Sequence, residues 1–451
     1  MNFSRKPVGQ AVLALVLSTG LGACATLSRD GGEAEVRQAA SQRLGQPAVD
    51  TASATPETLA QRRDDLLAQP LGMDQAVTLA LLNNPDMQRL FADLRITEAE
   101  AVAASRLANP RLSLARLKQD GSRETDRSIG LDLMGLLTLP IRAPLARQAY
   151  ENAKLDSTRQ VLVLAQQTRQ AWVAAVVGQQ QLAYALDVQS AAEAGRDLAR
   201  SLAQAGNLSR LDAAREQAFY AEATAQRART EADALAAREQ LIRLLGLTEG
   251  RSLKLPATLP ELPMTRQALP DVEQQAMNSR IDVAMAKRHA DSTARYLKLT
   301  KVTRFVNVLE VGYQSNTFND QAKQTGVEVS LELPLFDFGS TRVAQSEAIY
   351  RAALAEVRMT AVNARSEVRE AYTRYRSSYD LAKHYRDEVL PLQKQISDDV
   401  LLCYNGMLIS TFELLAQTRE QVASTEAYLS ALQAFWLAQA DLDSALQGSG
   451  K

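Results

Sequence analysis

The chain has 451 residues, 46% of them hydrophobic and 23% charged, with 51 basic and 52 acidic side chains and two cysteines. A net charge of −1 carries no nucleic-acid footprint, and two cysteines cannot build a disulfide framework. The length suffices for two or three ordinary domains, and no apolar run after the N-terminus is long enough for a transmembrane helix, so any membrane crossing would have to use strands.

Arg5 and Lys6, an apolar run over 11–17 and small residues up to Cys24 describe a secretory signal over 1–23. Leu21-Gly22-Ala23-Cys24 resembles the bacterial lipobox, in which the cysteine is lipidated and becomes the first mature residue. The alternative is an ordinary signal peptide with a cysteine at its cleavage site. Ala25 follows, with no aspartate to argue for retention at the inner membrane. Removing residues 1–23 takes the charge to −3, and a modified Cys24 leaves Cys403 without an internal disulfide partner. A polar segment rich in small side chains then runs over 24–72.

From there the chain is written twice, over 73–252 and 269–447, with a linker at 253–268. T-R-Q-A-W around Trp172 returns as V-R-E-A-Y around Tyr372, and the same offset pairs Leu131 with Leu331, Leu133 with Leu333, Tyr150 with Tyr350 and Gly206 with Gly406. A slightly shorter offset pairs A-L-L-N-N-P-D-M, from Ala80, with A-M-N-S-R-I-D-V, from Ala276. Each copy reads as a helix, two short strands, a very long helix, a glycine break and a second helix. L-K-L-P-A-T-L-P-E-L-P at 253–263 cannot continue a helix and reads as extended.

Strands are expected near 111–118, 127–137, 305–314 and 325–335, where apolar and polar residues alternate. Val327, Val329, Leu331 and Leu333 point one way, Glu328, Ser330 and Glu332 the other; Ile129, Leu131 and Leu133 alternate with Ser128, Gly130 and Asp132. Phe305, Leu309, Val311 and Tyr313 make a third such run, Leu112 and Leu114 a weaker fourth. Each run has the length a tilted membrane strand needs, although a small soluble sheet with one wet face would alternate in the same way. Four strands cannot close a barrel, and an open edge cannot sit in lipid, so closure would need several chains. Three would give twelve strands, with Asp132, Glu328 and Glu332 facing a wet lumen, leucines and valines facing lipid, and polar loops at Asp120-Gly121 and 315–320.

The long helices carry heptad seams: Leu155, Leu162, Ala165, Trp172, Val176, Ala183 and Leu186 in the first copy, and Val368, Tyr372, Tyr375, Tyr379, Ala382, Val389, Ile396, Val400 and Cys403 in the second. Arg386 and Gln393 take skipped places in the second seam. About 60 residues of helix at ~1.5 Å each extend ~90 Å, the mark of an elongated object. Pro391 predicts a local kink. No zinc-protease, nucleophile-elbow or P-loop pattern occurs, so no catalytic residue, metal site or cofactor is assigned. His289 and His384 stand far apart, Cys403 reads as a buried thiol, Asp398-Asp399 as solvated, and Met87 and Met277 join no methionine cluster.

Three stretches in this order, A-V-T-L-A-L-L-N-N-P-D at 76–86, L-P-L-F-D-F-G at 333–339 and Y-N-G-M-L at 404–408, set in a duplicated helix–hairpin–helix plan, resemble the TolC-type outer-membrane efflux channels of the lipidated kind. Where the second copy has Pro334-Leu335-Phe336-Asp337, the first departs with Leu136-Leu137-Thr138-Leu139-Pro140. The resemblance implies a mainly α fold with a small β part: helical hairpins forming a tunnel, and four strands per chain in a trimeric twelve-stranded barrel. It implies a non-enzymatic, passive exit duct in the outer membrane, served by a periplasmic adaptor and an inner-membrane pump. Segment 24–72 would be a periplasmic stretch tethered to the membrane by lipid on Cys24, the only attached group. A pore-less periplasmic coiled-coil structural or adaptor lipoprotein is the alternative. Gly206, Leu208, Gly406 and Leu408 would be tips that meet the adaptor, and Asp212 and Glu413 a periplasmic gate; the plainer reading has these two carboxylates starting the return helices.

Overall fold

The computed structural model describes residues 26–45, 55–119, 121–248, 253–305, 308–332 and 335–449. The signal segment, Cys24, Asp120, Leu333 and Pro334 lie outside the described residues. The elements in chain order are α1 (Glu33–Leu44), α2 (Pro56–Leu67), α3 (Met73–Asn83), α4 (Pro85–Ala104), β1 (Arg111–Gln119), β2 (Ser122–Asp132), α5 (Leu133–Gln204) and α6 (Arg210–Leu244). The second copy supplies α7 (Val272–Ser279), α8 (Ile281–Val302), β3 (Leu309–Phe318), β4 (Gln324–Leu331), α9 (Ser340–His384), a π-turn (Tyr385–Val389), α10 (Leu390–Asn405) and α11 (Thr411–Gln447). The fold is mainly helical with one small sheet, as the periodicities require. Its contacts divide it into two units. The first holds the described residues of Met1–Val36, Leu90–Ser157 and Ala284–Thr360; the second holds those of Arg37–Arg89, Thr158–Val283 and Ala361–Lys451.

The first unit centres on an antiparallel sheet of order β1-β2-β3-β4, so the two copies meet at the β2–β3 pair. The register puts Leu112, Ile129, Tyr313 and Val327 in one row across all four strands, with Leu131, Val311 and Val329 in the next row on the same face. The opposite face carries Asp132, Glu310 and Ser330 in one row, and Gly130, Gly312 and Glu328 in another.

Strand boundaries differ from the sequence expectation at both ends of β2 and β3 and at the end of β4. β2 already begins at Ser122 rather than 127, paired with β1 down to the hairpin turn, and β4 ends at Leu331 rather than 335. β2 stops at Asp132 rather than running to 137, because the Asp132 carboxylate accepts the Gly135 N–H at 2.8 Å and turns the chain into α5. The first turns of α5 then tolerate Pro140 and Pro144. β3 begins at Leu309, not 305, since α8 holds its helix to Val302 and Phe305 falls in the following turn. The stretch 315–318 is strand rather than loop, paired with Glu124–Arg127. Asn319 closes it: its side-chain oxygen accepts the Arg123 N–H at 2.8 Å, while its own N–H donates to the Arg123 carbonyl.

The second unit holds the main core, built on Trp172, Phe435 and the tyrosines of α9. Phe435 is fully buried, with the rings of Tyr375 and Tyr379 at 5.7 and 5.8 Å. The linker is extended as its prolines demand, yet it is a packed strap: Leu253, Leu255, Leu259 and Leu262 are buried, each stabilising by about 1.5–3 kcal/mol. Its carbonyls are met by Trp436 Nε1 (Pro260, 3.2 Å), Arg386 (Leu262, 3.2 Å) and the Tyr379 hydroxyl (Pro263 and Met264, 3.0 Å).

The second heptad seam is buried at Val368, Tyr375, Tyr379 and Ala382 and half-buried from Val389 through Cys403. The first seam shifts: Ala183 and Leu186 are exposed, while Ala185, Ala192 and Ala199 are buried at heptad spacing. Small residues let α5 and α6 approach closely, and a Cβ on Gly178 would stand 3.1 Å from the Ala234 Cα. Before Pro391, the expected perturbation takes the form of a π-turn in which the Leu390 N–H reaches the Tyr385 carbonyl. Among the described residues no helix is long and apolar enough to cross a membrane.

Candidate functional site

Three places carry chemistry beyond packing. The first is the sheet. On the face of Leu112 and Ile129 stand, strand by strand, Leu112, Leu114, Arg116 and Lys118; Arg123, Thr125, Arg127, Ile129 and Leu131; Leu309, Val311, Tyr313, Ser315 and Thr317; and Thr325, Val327, Val329 and Leu331. That face has no carboxylate among the described strand residues. The other face holds Glu124, Asp126, Asp132, Glu310 and Glu328. Apolar side chains of the first face are open in this single chain: Leu112 66%, Val327 73% and Val329 62%. β1 and β4 are the edges of this sheet, with no further partner strand among the described residues. Beyond β4, Phe336 and Phe338 are exposed, while Asp337 stands just before α9; the Thr341 hydroxyl and the Gly339 N–H hold its carboxyl below the usual range.

The second place is the pair of helix reversals. Gly206 has φ +76°, and the Asn207 N–H returns to the Leu202 carbonyl. In the second copy Gly406 has φ −78°, and the left-handed position belongs to Met407 at +57°. The two turns therefore align one residue later than expected, as Gly206 with Met407, Ser209 with Ser410 and Asp212 with Glu413. Leu208 is half-buried, as is its equivalent Ile409; the exposed apolar residues are Leu211, Met407 and Leu408. Both carboxylates start return helices. Ser209 Oγ accepts the Asp212 N–H at 3.1 Å and donates to its carboxylate at 2.6 Å, while Arg215 pairs with Asp212 at 3.0 Å. Glu413 completes a capping box with Ser410, accepting the Ser410 N–H at 2.9 Å. Glu216, unremarked in the sequence, is buried on α6 and paired with Arg419 on α11, whose guanidinium also lies over the Phe219 ring.

The third place is where each copy's last helix ends on the break between its first two helices. In copy one Asn83 and Asn84 donate to the terminal carbonyls of α6: Asn84 to Leu244 (2.9 Å), Asn83 to Leu245 (2.9 Å) and Gly246 (2.8 Å). In copy two Ser279 donates to Leu446 and Arg280 to Ala445, both at 2.9 Å. Burial alone would lower the Arg280 guanidinium's pKa, but hydrogen bonds to Asp282 and Glu367, both at 2.6 Å, leave it raised. Gly246 and Gly448, at φ +65° and +70°, fit against these docks; a Cβ would come within 2.6 Å of the Asn83 carbonyl or 2.4 Å of the Asp282 carboxylate. The offset match of Ala80–Met87 with Ala276–Val283, which marks the duplication, falls on these docks.

Among the described residues no cluster of His, Cys, Asp and Glu could hold a metal. His289 and His384 are exposed, His384 lying 3.2 Å from Glu388. Cys403 is half-buried rather than buried, and Asp398 is exposed and paired with Lys394.

Residues 265–446 match the family described as outer membrane efflux protein, a span that includes 333–339 and 404–408 and leaves the first copy outside. No curated protein matches the sequence. Among solved structures the fold is similar to the outer-membrane channel OprN, with 20% identity and a TM-score of 0.70 over 88% of this chain and 93% of that one. It is similar to the Neisseria gonorrhoeae MtrE outer membrane channel in its open state (15%, 0.69, 83% and 89%). It is also similar to the Campylobacter jejuni CmeC outer membrane channel (14%, 0.68, 84% and 86%). The second copy thus carries the outer membrane efflux protein domain, and the described chain has the fold of outer-membrane channels.

Proposed function

We propose that this chain, with its outer membrane efflux protein domain and outer-membrane channel fold, is the outer-membrane duct of a tripartite export system. Three copies would close their sheets into a twelve-stranded barrel; the helical hairpins would extend into the periplasm, and substrate would pass without chemistry, driven by an inner-membrane pump through an adaptor. Lipid on Cys24 adds retention and not the crossing itself.

The observation that carries this reading is the sheet, with one exposed apolar face, one acidic face and two unpaired edges. A wet one-faced sheet would bury its apolar side, and an edge in lipid needs a partner strand. Exposed Phe336 and Phe338 at the helix end suit a membrane interface, where aromatic rings concentrate. The pore-less lipoprotein reading leaves that apolar face without a purpose.

The tips supply contact for the adaptor through Leu408, Met407 and Leu211, with Gly206, Leu208 and Gly406 shaping the turns. Asp212 and Glu413, besides starting their helices, would place six carboxylates around a trimer's periplasmic opening, attracting cations there. Planar-bilayer recording of the purified trimer tests both levels. Discrete cation-preferring conductance is expected, and Asp212→Asn with Glu413→Gln should reduce that preference and weaken divalent block. No conductance from well-folded trimers contradicts the duct; unchanged selectivity in the double variant leaves the two carboxylates as helix starts only.

A further inference from the structure

The carboxylate-free face of the sheet is not uniform. Towards the helix end it is apolar, through Leu309, Leu331, Val311, Val329, Leu131, Tyr313, Ile129 and Leu112. Towards the hairpin loops it becomes basic: Arg127 pairs across from Leu114, and beyond it come Arg116, Lys118 and Arg123, four cations on the β1–β2 hairpin. All four are exposed, and none pairs with a described carboxylate within ion-pair distance. The acidic groups nearest along the strands, Glu124 and Asp126, belong to the other face. Alternation alone requires only polar-in and apolar-out; it does not require every cation of β1–β2 except Arg111 to share the outward face.

We propose that Arg116, Lys118, Arg123 and Arg127 form a belt that binds the phosphate groups of the lipid in the outer leaflet, at the level where the apolar band ends. This rests on the reading of the sheet as a barrel wall with its loops outward. Guanidinium groups take phosphate oxygens in bidentate fashion, and each cation at an anionic lipid surface adds independently to the attraction. The apolar rows below would meet the acyl chains of the same molecule, so the surface matches a phosphorylated glycolipid at both of its ends. Between three copies the belt would repeat around the barrel and hold a ring of such lipid.

The test uses the full-length detergent-purified protein and diphosphoryl lipid A in mixed micelles, with binding followed by native mass spectrometry. The parent protein should retain lipid A, and Arg116→Gln/Lys118→Gln/Arg123→Gln/Arg127→Gln should bind it more weakly by on the order of a hundredfold at low salt. Glu124→Gln/Asp126→Asn, on the opposite face, should leave retention unreduced. Where the quadruple variant fails to fold, the double variants Arg116→Gln/Lys118→Gln and Arg123→Gln/Arg127→Gln should each lose about tenfold. Equal retention by parent and belt variants overturns the proposal, as does displacement by millimolar inorganic phosphate, which would make this a site for free anion. Flotation with phosphatidylethanolamine vesicles separates the two levels: a protein that inserts but ignores lipid A sinks the belt alone, whereas one that never inserts sinks the barrel-wall reading.

Discussion

The two copies solve one packing problem with different chemistry. Each must end its last helix on the break between its first two helices and satisfy the terminal carbonyls in a buried setting. Copy one does so with neutral amides, Asn83 and Asn84; copy two uses a buried guanidinium held by two carboxylates. The long helices repeat the lesson. Trp172 donates from Nε1 to the Leu71 carbonyl at 2.7 Å, whereas at the equivalent place the Tyr372 hydroxyl accepts the Leu269 N–H at 3.3 Å. The duplicated object is a set of positions where backbone must be tied down, and the side chains that tie it were free to diverge. The family match spans the second copy alone, while the order of helices and strands repeats in both.

Substitutions at the docks can break this equivalence, the largest effect falling on the charged one. Arg280→Ala strands the Ala445 carbonyl and leaves Asp282 and Glu367 without their partner, an expected loss of roughly 3 kcal/mol in denaturant-midpoint measurements. Asn84→Ala removes the bond to Leu244 and the side-chain oxygen that accepts the Asp86 N–H at 2.7 Å, and should cost about 2 kcal/mol. If Asn84→Ala proved the more damaging, the charged triad would not be the stiffer dock.

Next comes the ring pair. Trp172→Phe leaves a buried carbonyl unpaired and should destabilise by roughly 1.5 kcal/mol, while Tyr372→Phe, at a half-buried ring, should cost about 0.5 kcal/mol. Thermal melts followed by the helical circular-dichroism signal give the order. Equal shifts would remove the distinction drawn between donor and acceptor.

The reversals give the smallest and most pointed contrast. Gly206→Ala forces a side chain into left-handed backbone and should cost about 1 kcal/mol; Met407→Gly relieves the same strain and should stabilise by up to about 1 kcal/mol. Gly406→Ala, at φ −78°, should be nearly silent. A large loss there would restore Gly406 as the turn residue.

Much of this was legible in the residues. Alternation in β2–β4 and the heptad spacing of Val368 through Cys403 report one period each, and period is what a sequence displays directly. The misplacements came from competition at ends. Leu133 continues a strand pattern, but the Asp132 cap decides for helix; Phe305 fits a strand but lies past a helix that runs longer. Ala183 and Leu186 gave way to Ala185, Ala192 and Ala199 because larger residues hide an alanine stripe from any hydrophobicity count. At the candidate site, Asp212 and Glu413 were visible by setting, but only the φ of Met407 aligns them residue for residue. The strap leucines, the Glu216–Arg419 pair and the docks depend on partners far along the chain, which local pattern does not encode.

The central claim is that two unpaired strand edges are closed by other copies of the chain. A photo-crosslinking residue in place of Ser113, on the β1 edge, tests it in membranes expressing the protein, with products mapped by mass spectrometry. Capture of residues 324–331 of a neighbouring copy, in species of trimer size, is the expected result. Products confined to one chain, or none at all from correctly inserted protein, would contradict it.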